Sequence, residues 1–241
     1  GHVSPPLEGR TLRVAQIADP HIGPWQPVAK LRRHTELLSE SNPDLVLLTG
    51  DYLTRESNGV KGALASALEP LSALPGRCFA IFGNHDHEAH DQVRSELQAN
   101  GIRLLVNDQA SADTPVGPVL VLGSDFVRGE GRADHIRELF SRYPRPDGQL
   151  RLFLLHDPTG FQDVPLGEAD LTLSGHTHGG QVGLVSMGLP WTVLSRSSVP
   201  DHGLFGRGPN LLYVHRGTGF YGFSMRVGVP GEASILDISL D

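Results

Sequence analysis

Nine polar residues stand at the ends of short apolar runs: Asp19 and His21 in "ADPHIG", Asp51 in "TGDY", Asn84, His85 and Asp86 in "GNHD", His156 in "LLHDP", and His176 and His178 in "SGHTHGG". Taken singly, Asp51 or Asn84 reads as a turn former and His156 as an ordinary hydrogen-bonded histidine. Taken together, they place five of the twelve histidines at the ends of successive strand-like segments. Asp19 and His21 are two residues apart, as are His176 and His178, so in extended backbone each pair points to one side and can bite one site. Imidazoles, carboxylates and one amide oxygen without a thiolate suit a borderline divalent ion, Mn²⁺, Fe²⁺, Co²⁺ or Zn²⁺, whereas Ca²⁺ asks for oxygen alone. Leaving His85 and Asp86 aside, seven candidate ligands exceed what one open site needs. Two ions sharing a bridging carboxylate fit better. Such pairs sit roughly 3.5–4 Å apart and clamp the attacking and leaving oxygens of a displacement at phosphorus. Two divalent ions against the carboxylates of Asp19 and Asp51 leave a surplus of positive charge for a phosphate.

The residues that carry this chemistry need elements to hold them. Runs 11–19, 44–51, 77–86, 118–125 and 150–157 read as buried strands. Stretches 28–41, 60–74, 90–100 and 132–142 carry apolar residues at helical spacing, with Pro70 expected to break or kink the second. Alternation of the two predicts a largely parallel sheet with helices on its faces, and a ligand crevice beyond the carboxyl ends of its strands. From about residue 181 the chain turns rich in Gly and Pro. There "NLLYVHRG", "YGFSMRVG" and "ASILDISL" read as strands of a more antiparallel portion, expected to form a second sheet packed on the first.

The 241 residues, 39% hydrophobic and 20% charged, describe a globular chain able to bury a core. Net charge is −7, which excludes a nucleic-acid partner bound through a basic surface. Bound metal can still set the local field for an anionic substrate. Cys78 is the only cysteine, so no intramolecular disulfide exists and the residue reads as a small buried hydrophobe. No apolar run reaches the ~18 residues of a membrane span. Residues 1–10 read as a flexible leader or cloning remnant ahead of a single domain over 11–241. The expected location is cytoplasmic or peripheral to the membrane, with an N-terminal signal or anchor left open.

The ordered set "DPH", "GD", "GNHD", "H" and "GHTHGG" closely resembles the signature of the calcineurin-like metallophosphoesterases. "GHTHGGQ" with "HRGTGFYGFSMRVGVPGEASIL" is similar to the bacterial branch of YkuE-like and YaeI-like phosphodiesterases. The resemblance implies an α/β fold, a four-layer α/β-β/α sandwich with two central mixed sheets flanked by helices. It assigns Asp19, His21 and His178 to one metal and Asn84, His156 and His176 to the other, with Asp51 bridging. It makes His85 the group that contacts the phosphate and protonates the leaving oxygen, oriented by Asp86. Pro20 departs from the branch and should stiffen the approach to His21. "PGEAS" departs too, which bears on the C-terminal substrate wall.

The expected activity is phosphodiester or diphosphate hydrolysis by a metal-bridging hydroxide. A phosphomonoesterase and a catalytically weak metal-binding scaffold of the same fold are the alternatives, and a dinuclear hydrolase of non-phosphate esters is disfavoured by the motif order. The substrate is expected to be a phosphate-ester small molecule or a lipid-linked or nucleoside diphosphate. Trp25, Trp191 and Phe205 are candidates for an apolar rim, and Arg55, Arg128, Arg196 and Arg207 for gripping a second phosphate. His87, His202 and His215 are candidates to support the ligands. Gly179 and Gly180 are expected to let the chain turn tightly and to keep side chains clear of the phosphate.

Overall fold

A computed structural model describes residues 9–54, 60–222 and 225–240. The first half alternates strand and helix: β1 (Arg10–Ile17), α1 (Val28–Glu40), β2 (Leu45–Leu48), α2 (Ala63–Leu68), β3 (Cys78–Ala80), α3 (His90–Gln98) and β4 (Arg103–Leu104). The second runs β5 (Asp108–Thr114), β6 (Gly117–Gly123), α4 (Arg132–Arg142), β7 (Arg151–Leu154), β8 (Leu171–Ser174), β9 (Gly203–Arg207), β10 (Asn210–Val214) and β11 (Ser234–Leu240). One sheet has the order β11-β1-β2-β3-β4 and the other β5-β6-β7-β8-β10-β9. Parallel pairs make the body of each sheet, while β11, β5 and β9 pair antiparallel at the edges. Both sheets are therefore mixed, as expected.

Strand alternation builds the layers. Leu45 and Leu47 point between the sheets, where they meet Leu12, Val121, Leu152 and Leu173, while Val46 and Leu48 point at Leu31, Leu64 and Val93 of the helices. On the second sheet Leu122 and Phe153 pack outward on Ile136, Leu139 and Phe140 of α4. Helices, sheet, sheet and helix thus form four layers, and each fully buried leucine contributes roughly 1.5–3 kcal/mol. α1 exists because Leu31, Thr35 and Leu38 fall on one face at three-to-four spacing. Pro70 acts as expected, since α2 ends at Leu68 and a 3-10 turn over Glu69–Ala73 takes over. Cys78 is buried, its thiol pushed up to about 12 by burial.

The tail needs correcting. It does not form the second sheet: the boundary between sheets falls between β4 and β5, β11 returns to pair with β1, and β9 and β10 complete the other sheet. "YGFSMRVG" forms no strand among its described residues, only isolated bridges of Val227 and Gly228 to Val182. Residues 1–8 of the expected leader lie outside the described residues, and Arg10 already opens β1.

Candidate metal centre

Every metal-ligand candidate follows the carboxyl end of a strand: Asp19 and His21 follow β1, Asp51 β2, Asn84 β3, His156 β7, and His176 and His178 β8. The loops after β1 and β2 run side by side, with Asp19 N donating to Gly50 O, His21 N to Asp51 O and Ile22 N to Tyr52 O. The two sheets meet there, because the backbone N–H of His176 donates to both oxygens of Asp19 at 2.9 Å.

Two clusters result, Asp19–His21–His178 and Asp51–His156–His176, each with donor atoms close enough to hold one metal ion. Asp51 Oδ2 joins them, 3.6 Å from His21 Nε2 in the first and 3.3 Å from His156 Nε2 in the second. Its Oδ1 is occupied by the backbone N–H of His85 at 2.8 Å. Asn84 Oδ1 lies 3.2 Å from His156 Nε2.

The means of convergence differs from the expected extended chain. Asp19 (φ 50°), His21 (φ 44°), Asp51 (φ 58°), His176 (φ 70°) and His178 (φ 53°) are all left-handed. Such backbone is uncommon for non-glycine residues and typical of sites that fix a geometry at some cost. It sends His176 and His178 into different clusters, although Asp19 and His21 share one. Glycines make room for the carboxylates: a Cβ on Gly83 would lie 2.2 Å from Asp51 Oδ1, and one on Gly175 2.3 Å from Asp19 Oδ2.

The electrostatics suit a cation. Burial holds His21 and His176 down at about 4 and takes His178 well below the ordinary histidine value, so these rings are neutral at pH 7 and offer lone pairs. Burial also opposes charge on His156, but Asp51 and Asp19 reverse the sign and push its pKa up to about 10. Burial works against ionising Asp51, yet His156 and His21 outweigh it and hold the carboxyl below the usual range. Burial raises Asp19. Buried His21 has no side-chain hydrogen bond, only an interaction with the Leu53 backbone, which leaves a ring nitrogen free to take a ligand; an unmet buried polar atom costs on the order of 1–3 kcal/mol. The donor set therefore fits a pair of divalent ions.

The His85 ring belongs to neither cluster, standing 5.5 Å from the His21 ring and with Nδ1 3.7 Å from Glu88 Oε1. The Asp86 carboxylate is held by backbone amides. Its Oδ2 accepts from the N–H groups of Asp51 and Gly83, both at 2.7 Å, and its Oδ1 accepts from Tyr52 N at 2.8 Å. The carboxylate that follows His85 in sequence thus ties the Asp51 and Asn84 loops together, and Glu88 is the acid beside the imidazole.

A cavity of about 510 Å³ opens next to the first cluster, lined by His21, Trp25, Thr54, His85, Glu88 and Tyr221 among others. Trp25, a candidate for either a rim or the core, is exposed and lines this cavity. Trp191 is exposed and does not line this cavity, and Phe205 packs on the core under α4. Arg128 lies over the Phe126 ring, 5.6 Å from its centroid, and Phe126 abuts His156 and His176, which keeps this arginine near the site. Arg207 instead donates to Val164 O, Arg196 is exposed, and Arg55 lies outside the described residues.

His87 pairs with Asp125 at 3.0 Å. His202 pairs with Asp201, whose carbonyl accepts from Thr177 between the two histidines, and His215 is buried with Nδ1 accepting from Gly217 N. Gly179 and Gly180 do turn in left-handed backbone, but the space they leave is taken by Val229 and Arg216, and by Val193 and Leu194, so they clear protein side chains and not substrate. Glu232 of "PGEAS" is drawn inward, pairing with Arg216 and Tyr213.

Three residues went unmarked in sequence. Arg226 donates to the carbonyls of His178, Arg216, Gly217 and Gly219, fixing the loop that carries His178. Tyr221 lies 4.8 Å from the His85 ring and 5.3 Å from the His21 ring. Gln181 grips the Tyr221 backbone with both ends of its amide. Gln181 at the end of "GHTHGGQ" and Tyr221 within "TGFYGF" were the available signals.

The family profile for calcineurin-like phosphoesterases matches residues 12–180. The chain belongs to that family. This calcineurin-like phosphoesterase is 29% identical over 241 residues to the metallophosphoesterase YkoQ of Bacillus subtilis, a match covering 95% of this chain and 84% of that one. It is 29% identical over 232 residues to the phosphodiesterase YaeI of Escherichia coli, covering 94% and 82% respectively, in keeping with the branch expected. Its fold is similar to that of the NAD nucleotidase of Haemophilus influenzae, with a TM-score of 0.58 at 14% identity. That match covers 86% of this chain and spans about half, 51%, of the nucleotidase. No helix among the described residues is long and apolar enough to cross a membrane.

Proposed function

We propose that this calcineurin-like phosphoesterase is a dinuclear metal-dependent phosphodiesterase. The observation that carries the reading is Asp51 Oδ2, set between His21 Nε2 at 3.6 Å and His156 Nε2 at 3.3 Å, where one carboxylate can serve two ions. Asp19, His21 and His178 would hold one ion, and Asn84, His156 and His176 the other. When bound, the ions supply the charge that lowers the pKa of water and neutralises phosphoryl oxygens.

The chain's own groups do the rest. His85 stands outside both clusters and on the cavity wall, within reach of an ester oxygen leaving toward the cavity, to which its ring can deliver a proton. Glu88 beside Nδ1 holds that ring in place. Asp86 keeps the Asp51 and Asn84 loops in register. The likeness to YaeI favours a diester over a diphosphate.

His85→Ala tests the assignment. It should lower kcat on a phosphodiester by about 10²–10⁴-fold while bound metal stays at the wild-type level. Loss of metal instead would make His85 a ligand and overturn its role.

A further inference from the structure

The cavity beside His21 and His85 has an aromatic wall that the metal clusters do not use. Trp25, Phe220 and Tyr221 line it together with Gln26, Thr54 and Glu88, and among the described residues no Lys or Arg does. Lys30 and Arg226 lie over the Phe220 ring at 5.3 and 5.7 Å, and Tyr221 turns part of its ring to the His85 and His21 rings, so the exposed parts of Trp25 and Tyr221 are what a ligand can meet. Both are large and substantially exposed, Trp25 at 64% and Tyr221 at 52%, so neither is serving the core. Exposed aromatics beside a polar catalytic end mark a place where a flat partner can stack.

Tyr221 is also held for the purpose. Gln181 Nε2 donates to Tyr221 O at 2.8 Å and Tyr221 N donates to Gln181 Oε1 at 3.0 Å. Gln181 is left-handed (φ 58°) and follows directly on the turn that carries His178, so one turn places both a ligand candidate and the tyrosine.

We propose that this cavity binds a flat aromatic ring carried by the ester alcohol, stacked on Trp25 and Tyr221 while the phosphorus sits at the two clusters. The substrates are then phosphodiesters of a ring-bearing alcohol, either a simple aryl-bearing alcohol or a nucleoside. Only the naming of a substrate rests on the phosphodiesterase reading. Gln181 is a positioning residue, acting through Tyr221.

The test is calorimetric binding of three non-hydrolysable phosphonates to the metal-loaded protein: butylphosphonate, benzylphosphonate and a nucleoside 5′-phosphonate. Stacking on an aromatic side chain should make both ring-bearing probes at least about tenfold tighter than the butyl one. A nucleoside arm tighter than the benzyl arm identifies a nucleobase, and equal arms identify a bare ring. Trp25→Ala and Tyr221→Ala should each cut the ratio of ring-bearing to butyl affinity several-fold, and Gln181→Ala should cut it less, by freeing Tyr221. Equal affinities for all three probes, or a preference that survives both aromatic substitutions, overturns the proposal. Binding requires no turnover. A ring preference in a protein that cleaves no diester keeps this cavity and removes the phosphodiesterase reading, and diester cleavage without ring preference does the reverse.

Discussion

His156 Nε2 faces Asn84 Oδ1 at 3.2 Å, although the other ring nitrogen, Nδ1, donates to the carbonyl of Thr49 at 2.7 Å. A neutral ring so fixed turns a lone pair toward Asn84 Oδ1 and Asp51 Oδ2, with His176 Nδ1 also 3.1 Å away, so a positive charge between ring and oxygens is favoured. In the metal-free chain that is a proton, and the pKa raised to about 10 says it stays through neutral pH. Metal uptake at pH 7.5 should therefore release at least about one proton per chain. Apparent metal affinity should rise with pH up to about 10, because a raised pKa means the competing proton leaves only there. An indicator dye in weakly buffered solution reads the release, and metal uptake without it contradicts the assignment.

Asp86→Asn separates the two roles that its position allows. The amide keeps the shape but has one acceptor oxygen: placed on the N–H groups of Asp51 and Gly83 it leaves Tyr52 N–H unmet, and turned to Tyr52 it leaves those of Asp51 and Gly83 unmet. Each unmet buried donor costs about 1–3 kcal/mol. The variant should melt earlier and bind metal more weakly, with kcat largely recovered in excess metal. A kcat lost with metal affinity unchanged would return Asp86 to orienting His85.

Gly175→Ala probes the junction of the sheets. Its methyl would lie 2.3 Å from Asp19 Oδ2 and 2.8 Å from Ala18 Cβ, both in the other sheet's first loop. Displacing Asp19 should lower bound metal toward one ion per chain and cut turnover by about 10²-fold, the scale of an ångström's misplacement. Elemental analysis alongside kinetics decides, and a fully loaded, fully active variant refutes the close approach.

The residues of the two clusters were legible because each follows a strand whose apolar run is plain in sequence, such as "DLVLLTGD" before Asp51. β5 was not, since Asp108–Thr114 buries only Ala110 and Ala112 and has no large apolar residue to show alternation. The division of the tail between sheets depends on long-range pairing of β11 with β1, a register that local sequence does not encode. The contacts of Asp86 were not legible because it neighbours His85 in the chain while its carboxylate turns back to the Asp51 loop. Tyr221 escaped notice because a side chain 40 residues away, Gln181, holds it over the site. The left-handed backbone at Asp19, His21, Asp51, His176 and His178 was not read either, since Asp and His are enriched there yet few residues of either type adopt it.

The most direct measurement is a Mn²⁺ titration of chelator-stripped protein assayed on bis(p-nitrophenyl) phosphate, with p-nitrophenyl phosphate in parallel. The account predicts that hydrolysis of the diester appears with added metal, saturates as the second ion per chain binds, and exceeds that of the monoester. A chain that takes up two ions and leaves the diester intact, or that cleaves the monoester faster, contradicts it.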